Sequence, residues 1–224
     1  MDARELNVDY TERVVVNVDE LPYAASPAAG VWRKRLELSG DGEHGRVTSV
    51  VRFDPGAHFP EHDHPGGEEV LVLDGHWCDE RGSFGPGSYQ LNPESFRHAP
   101  FTRTGCTLLV KLRQYVGPER PVVLVDTNAG SWIERGPSGV RSLPLYRSEE
   151  HGEYVRLTQL APGAIAPRVD LPDGEEIFVL SGAFSDEYGE YARHTWLRLP
   201  RGHRHSPRAT TGCLLYVKSG GFPR

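Results

Sequence analysis

The sequence predicts an all-β protein built from two tandem, small antiparallel barrels of the jelly-roll kind, on three observations. The first is an internal repeat. A constant offset of 107 residues carries Gly56 onto Gly163, Glu68 onto Glu175, Gly75 onto Gly182, Pro93 onto Pro200, His98 onto His205 and Cys106 onto Cys213. An offset held over that length means two copies of one domain-sized unit. The second is that apolar residues come in short runs, β-branched or aromatic, bounded by Gly, Pro or Asp. The third is the lack of any stretch with the apolar period of an amphipathic helix. With it go 25 glycines and 18 prolines in 224 residues, above the average usage of about 7% and 5%.

Taken in order, the first copy opens with R-V-V-V-N-V-D (13–19), which the offset places on R-P-V-V-L-V-D (120–126). Residues 20–45 read as a loop and strand feeding the first barrel, with Trp32 as a packing residue, and here the two copies differ by a small insertion. Strands are expected at 47–53, 69–73, 88–91 and 107–112, and in the second copy at 154–160, 176–180, 194–199 and 213–218. Asp54-Pro55-Gly56 and Ala161-Pro162-Gly163 are turn signals in equivalent places. The domain boundary is expected near Gly117-Pro118, giving 1–117 and 118–224.

Composition narrows the function classes. A net charge of −6 offers no electrostatic footprint for nucleic acid. No apolar run is long enough for a membrane helix, and the polar, acidic start does not read as a signal peptide. Cys78, Cys106 and Cys213 are too few for a disulfide framework, and Cys106 and Cys213, at equivalent strand starts, read as small buried hydrophobes. A cytoplasmic protein with a small-molecule substrate or ligand is the simplest expectation; monomer and homodimer are both open.

The chemistry concentrates between Gly56 and His98. His62 and His64 stand two apart, so on a strand they share a face and can chelate one ion. Glu68 has the same parity, and His98 would return on a neighbouring strand. Imidazole and carboxylate suit one divalent transition metal ion, Fe, Zn, Ni or Mn, in the amino-terminal barrel. Unpaired in a dry lumen these groups would be costly, and an ion removes that cost.

These residues carry a resemblance. G-x5-H-x-H-x3-E-x6-G, from Gly56 through His62, His64 and Glu68 to Gly75, resembles the first cupin motif. Gly87, Pro93 and His98 match the second, with Ser95 in place of its glycine and Thr102 in place of its asparagine. The motif tolerates three or four residues before the acid, so Glu69 is a rival to Glu68; the distance to Gly75 and strand parity favour Glu68. The surrounding phrases look like the ChrR-type cupins. That family includes the cupin half of certain anti-sigma factors and is similar to small non-haem iron dioxygenases such as the acetylacetone-cleaving enzyme. The resemblance implies two cupin (double-stranded β-helix) barrels.

The second copy has Val169 and Leu171 where the first has His62 and His64. Glu175 and His205 persist as a degenerate site, with His194 and His203 as further members of a different one. His58, Tyr89 and Phe96 are pocket candidates, and Phe53 and Phe101 are core or pocket residues. His76 and Trp77 read as solvent-facing or rim residues after the Gly75 turn. His44 and His151 read as solvated loop residues. Three functions are compatible: a metal-dependent oxidoreductase or dioxygenase cleaving a small carbonyl compound, a metal- or oxidant-sensing regulatory cupin, or a storage or sugar-binding bicupin. The anti-sigma relatives carry an H-x3-C-x2-C zinc motif that this sequence lacks, which weighs against the second.

Overall fold

The structure, a computed structural model, describes residues 5–40, 44–117, 119–136 and 139–223. Among them there is no α-helix, only one turn of 3-10 helix at Val18–Glu20. The chain forms two compact units: the described part of Met1–Val8 with Leu21–Ala129, and Asp9–Glu20 with the described part of Gly130–Arg224.

In unit 1 an antiparallel sheet runs, in spatial order, Ala24–Ala25, Val31–Leu38, Val47–Phe53, Cys106–Leu112, Glu68–Gly75, Ser88–Asn92 and Val123–Asp126. Facing strands are short: His62–His64 pairs with Phe96–His98, and Trp77–Asp79 with Gly82–Phe84. Strand alternation decides what goes inside. Val31, Val51, Phe53, Val70, Val72 and Leu108 form the core of the barrel. Glu68 shares the parity of Val70 and Val72. Glu69 takes the other face, where its carboxylate accepts a hydrogen bond from Tyr89 Oη at 2.9 Å.

Unit 2 repeats the order strand for strand: Ile133–Glu134, Val140–Ser148, Glu153–Leu160, Cys213–Ser219, Glu175–Asp186, Thr195–Leu199 and Val14–Asn17. The facing pair is Val169–Leu171 with His203–His205. Two strands have changed places relative to the sequence repeat. Val14–Asn17, which opens the first copy, pairs with Thr195–Leu199 in unit 2. Val123–Asp126, which opens the second, pairs with Ser88–Asn92 in unit 1. The compact units divide the chain at 8/9, 20/21 and 129/130; of the expected boundary at Gly117-Pro118, Pro118 lies outside the described residues.

The two motif glycines before and after the ligands are needed for different reasons. Gly75 has φ +71, and a Cβ there would lie 2.1 Å from the Gly105 carbonyl oxygen; at Gly182 it would lie 2.0 Å from that of Gly212. Gly56 has φ +79 with open space around it. Gly56→Ala should therefore cost only the left-handed backbone penalty, about 1–2 kcal/mol. Gly75→Ala should cost roughly 3 kcal/mol or more, because backbone has to move as well. Urea unfolding of the two variants checks this; equal midpoints would refute it.

Candidate metal centre

The pairing of two three-residue strands assembles the site. In the register of that ladder His98 lies opposite His62 and Phe96 opposite His64. The ligand atoms of His62, His64 and His98 fall within 4.8 Å of one another. His64 Nε2 is 2.9 Å from His98 Nε2, and Glu68 Oε2 lies 3.6 Å from the first and 3.7 Å from the second. Two nitrogens each about 2.0–2.1 Å from one ion sit roughly 3 Å apart when their bonds are perpendicular. The three histidines and their spacing thus fit a single divalent ion, with the Glu68 carboxylate beside two of them.

Each ligand is aimed by something behind it. His62 Nδ1 lies 2.9 Å from the Pro60 carbonyl, which turns Nε2 inward. His98 Nδ1 faces Asp79 Oδ2 at 3.5 Å, an ion-pair contact longer than a good hydrogen bond. Trp77 packs edge-on against the His98 ring at 5.5 Å. Arg81 ties the rear of the site together: it donates to Asp79 Oδ2 at 2.6 Å, Gln90 Oε1 at 2.6 Å and Asn92 Oδ1 at 2.9 Å. Asn92 in turn donates to Glu68 Oε2 at 3.1 Å. A carboxylate–histidine–metal relay of this kind sets the tautomer and basicity of the ligand.

The electrostatics agree. Burial pushes the Glu68 carboxyl upward, but His64, His98 and the Asn92 hydrogen bond outweigh it and leave the pKa below the ordinary value. Burial lowers His64, against the pull of Glu68. Asp79 is held at about 2: burial opposes ionisation, and the neighbouring His98 imidazole and the hydrogen bonds from Arg81 prevail. By contrast burial pushes Cys106 up to about 12 and Cys213 up to about 11, so neither is a thiolate at neutral pH.

A cavity of about 190 Å³ opens beside the ligands, walled by Val51, Phe53, Phe59, Trp77, Leu108 and Val110. Ser49 Oγ and Trp77 Nε1 on that wall are buried with no hydrogen-bond partner. Trp77 is 2% exposed, so it is core and cavity wall, not a solvent-facing rim residue as expected from the sequence. Among the other sequence candidates, Tyr89 lies on the opposite face of the sheet with Glu69. His58 is exposed and bridges Phe101. Phe96 supports the site from outside the cavity lining: its ring meets His98 edge-on at 5.3 Å and lies under Arg81 at 4.4 Å.

Unit 2 handles the equivalent position without counterparts of His62 and His64. Glu175 Oε2 accepts from Arg156 Nη2 at 2.8 Å and from Ser219 Oγ at 2.8 Å. His205 Nδ1 meets Asp186 Oδ2 at 3.1 Å, while its Nε2 is 3.9 Å from Glu175 Oε1. His194 turns away to Asp19 at 3.0 Å and His203 stacks on Tyr188 at 4.7 Å, so the four do not converge. The sequence reading passed over Asp79, Arg81 and Asn92. Asp79 did carry a signal, since the 107 offset places Asp186 on it.

A family model for the ChrR cupin-like domain matches the chain twice, over residues 11–116 and 120–223. The chain belongs to the ChrR cupin-like domain family. Its two matched repeats coincide with the two sequence copies, and the unit 1 ligands fall within the first. No curated protein matches the sequence. Among solved structures the fold of this ChrR cupin-like protein is similar to that of a candidate dioxygenase from Nostoc punctiforme, with TM-score 0.79 at 15% identity over 94% of this chain and 84% of that one. It is also similar to YlbA from E. coli, with TM-score 0.75 at 14% identity over 99% and 96%. Oxalate decarboxylase from B. subtilis gives 0.65 at 12% identity over 93% and 78%. At these identities the likeness is one of fold.

Metal content of purified variants tests the assignment. His98→Ala and His62→Ala should lose the ion, whereas His205→Ala should leave the metal content of the wild type. Asp79→Asn should weaken metal affinity about 10- to 100-fold with the fold intact. A His205→Ala protein holding half the wild-type metal would contradict the reading of unit 2.

Proposed function

We propose that the chain is a metal-dependent cupin oxidoreductase, dioxygenase-like in type, acting on a small carbonyl compound in the unit 1 cavity. The observation that carries this reading is the cavity itself: His62, His64 and Glu68 lie on its lining, and His98 completes the cluster of three histidines. A bound ion would act there as Lewis acid and template, or as Fe(II) would activate O2. The protein's own contribution is placement and exclusion. Asp79, 3.5 Å from His98 Nδ1, would hold the ring with Nε2 directed at the ion. The Arg81–Asn92 link holds Glu68 on the same side. The apolar walls keep bulk water from the reacting groups. The volume equals on the order of six waters, at roughly 30 Å³ each, which limits the substrate to a compact molecule.

The alternative is a regulatory cupin that senses metal or oxidant without turnover. The open cavity beside the ligands favours the enzyme, since a sensing ion needs no substrate-sized space. Oxygen uptake by the Fe(II)-loaded protein across a panel of β-diketones, hydroxyketones and oxo acids separates the two. The enzyme reading expects uptake with at least one compound, abolished in His62→Ala. Silence across the panel, with tightly held zinc, would favour the sensor.

A further inference from the structure

The cavity beside the metal centre carries three cations that the ligand chemistry does not use. Arg33 and Arg35 alternate on the strand Val31–Leu38, on the parity of the core residue Val31, opposite Val51 and Ser49 in the ladder. Arg113 follows the strand Cys106–Leu112. All three line the cavity and all are half-buried. Among the described residues no carboxylate lies within ion-pair distance of Arg33 or Arg35. The carboxylates on the cavity lining are Glu68, facing the histidines, and Asp63, which is exposed. Burial, and then the like charges of Arg35 and Arg113, lower the Arg33 guanidinium from its ordinary value. Cations gathered out of water at mutual cost are what an anion would relieve.

The second barrel supplies the control. In its ladders Ser142 pairs with Thr158 and Pro144 with Arg156, which places Ser142 on Arg33 and Pro144 on Arg35. Gly220 stands at the offset position of Arg113, and their backbone amides donate to equivalent carbonyls, Gly174 and Gly67. Gly220 has φ +74 and Arg113 φ +58. A side chain is thus tolerated at a left-handed position where the twin has glycine, and its Nε donates to the Gly45 carbonyl. Trp77, whose indole N–H is unpartnered, becomes Phe184. The arginines and the indole donor are therefore missing from the barrel that also lacks His62 and His64, while the Asp79–His98 pair is kept as Asp186–His205.

We propose that Arg33 and Arg35 form an anion cradle beside the metal position, and that the substrate is a small oxo acid whose carboxylate lies one carbon away from its carbonyl. The carbonyl end faces the ion and the carboxylate takes the guanidinium donors, with Ser49 Oγ and Trp77 Nε1 in reach of the same wall. This rests on the metal-site reading above.

Zinc-loaded protein, in which nothing turns over, allows a binding test with two molecules that differ only in the charged end, acetoacetate and acetylacetone. Acetoacetate should bind about tenfold more tightly or better, as charge-assisted hydrogen bonds allow, and added salt should narrow the difference. Arg33→Gln and Arg35→Gln should each erase about tenfold of the acetoacetate affinity and leave acetylacetone affinity, zinc content and the unfolding midpoint unchanged. Zinc held with the two ligands bound equally, or with neither bound, overturns the cradle and leaves the metal centre standing. Protein that takes up no zinc overturns both.

Discussion

A buried carboxylate at the head of a central strand is the constraint around which both barrels are arranged. Glu68 and Glu175 begin equivalent strands, 6% and 3% exposed. An ionised group in such a place must be met by positive charge or strong donors. Unit 2 meets it from within, with the Arg156 guanidinium and the Ser219 hydroxyl. Unit 1 has Ser49 and Leu112 at those positions and surrounds its carboxylate with imidazoles instead. One barrel has closed the electrostatic circuit with its own side chain. The other meets it with imidazoles and the Asn92 amide, a donor set that an ion would fit, and this difference separates a scaffold from a candidate centre.

The layer behind the ligands is shared even where the ligands are not. Asp79 behind His98 and Asp186 behind His205 occupy the same place, each strongly hydrogen-bonded and anionic. Their outer partners differ: Arg81 braces the first, whereas Tyr191 Oη donates to the second at 2.8 Å. The carboxylate–histidine pair therefore has a structural use independent of metal, joining the short strand that carries the histidine to its neighbour.

Much of this could be read before folding. The H-x-H pair announced itself because strand parity puts alternate residues on one face, and the repeat made the loss of both histidines in the second copy visible. What could not be read depended on register between strands. Tyr89 was expected near the ligands, yet its place opposite Leu71 puts it on the Glu69 face. Asp79 sits in a polar turn sequence, C-D-E-R-G, and acquires its role only when the hairpin Trp77–Asp79/Gly82–Phe84 brings it behind His98. The arginines of the cavity were hidden for another reason. Arg33 and Arg35 lie in the segment where the constant offset breaks, so their replacement by Ser142 and Pro144 appears only through the ladder pairings.

The exchanged outer strands have a consequence for how this chain can be divided. Severing it between the repeats would strip Val123–Asp126 from Ser88–Asn92 and Val14–Asn17 from Thr195–Leu199. Each fragment would be left with a raw sheet edge, open to association with whatever strand it met first. The gene repeat and the cooperative folding block are thus different objects, and a fragment that respects the first breaks the second.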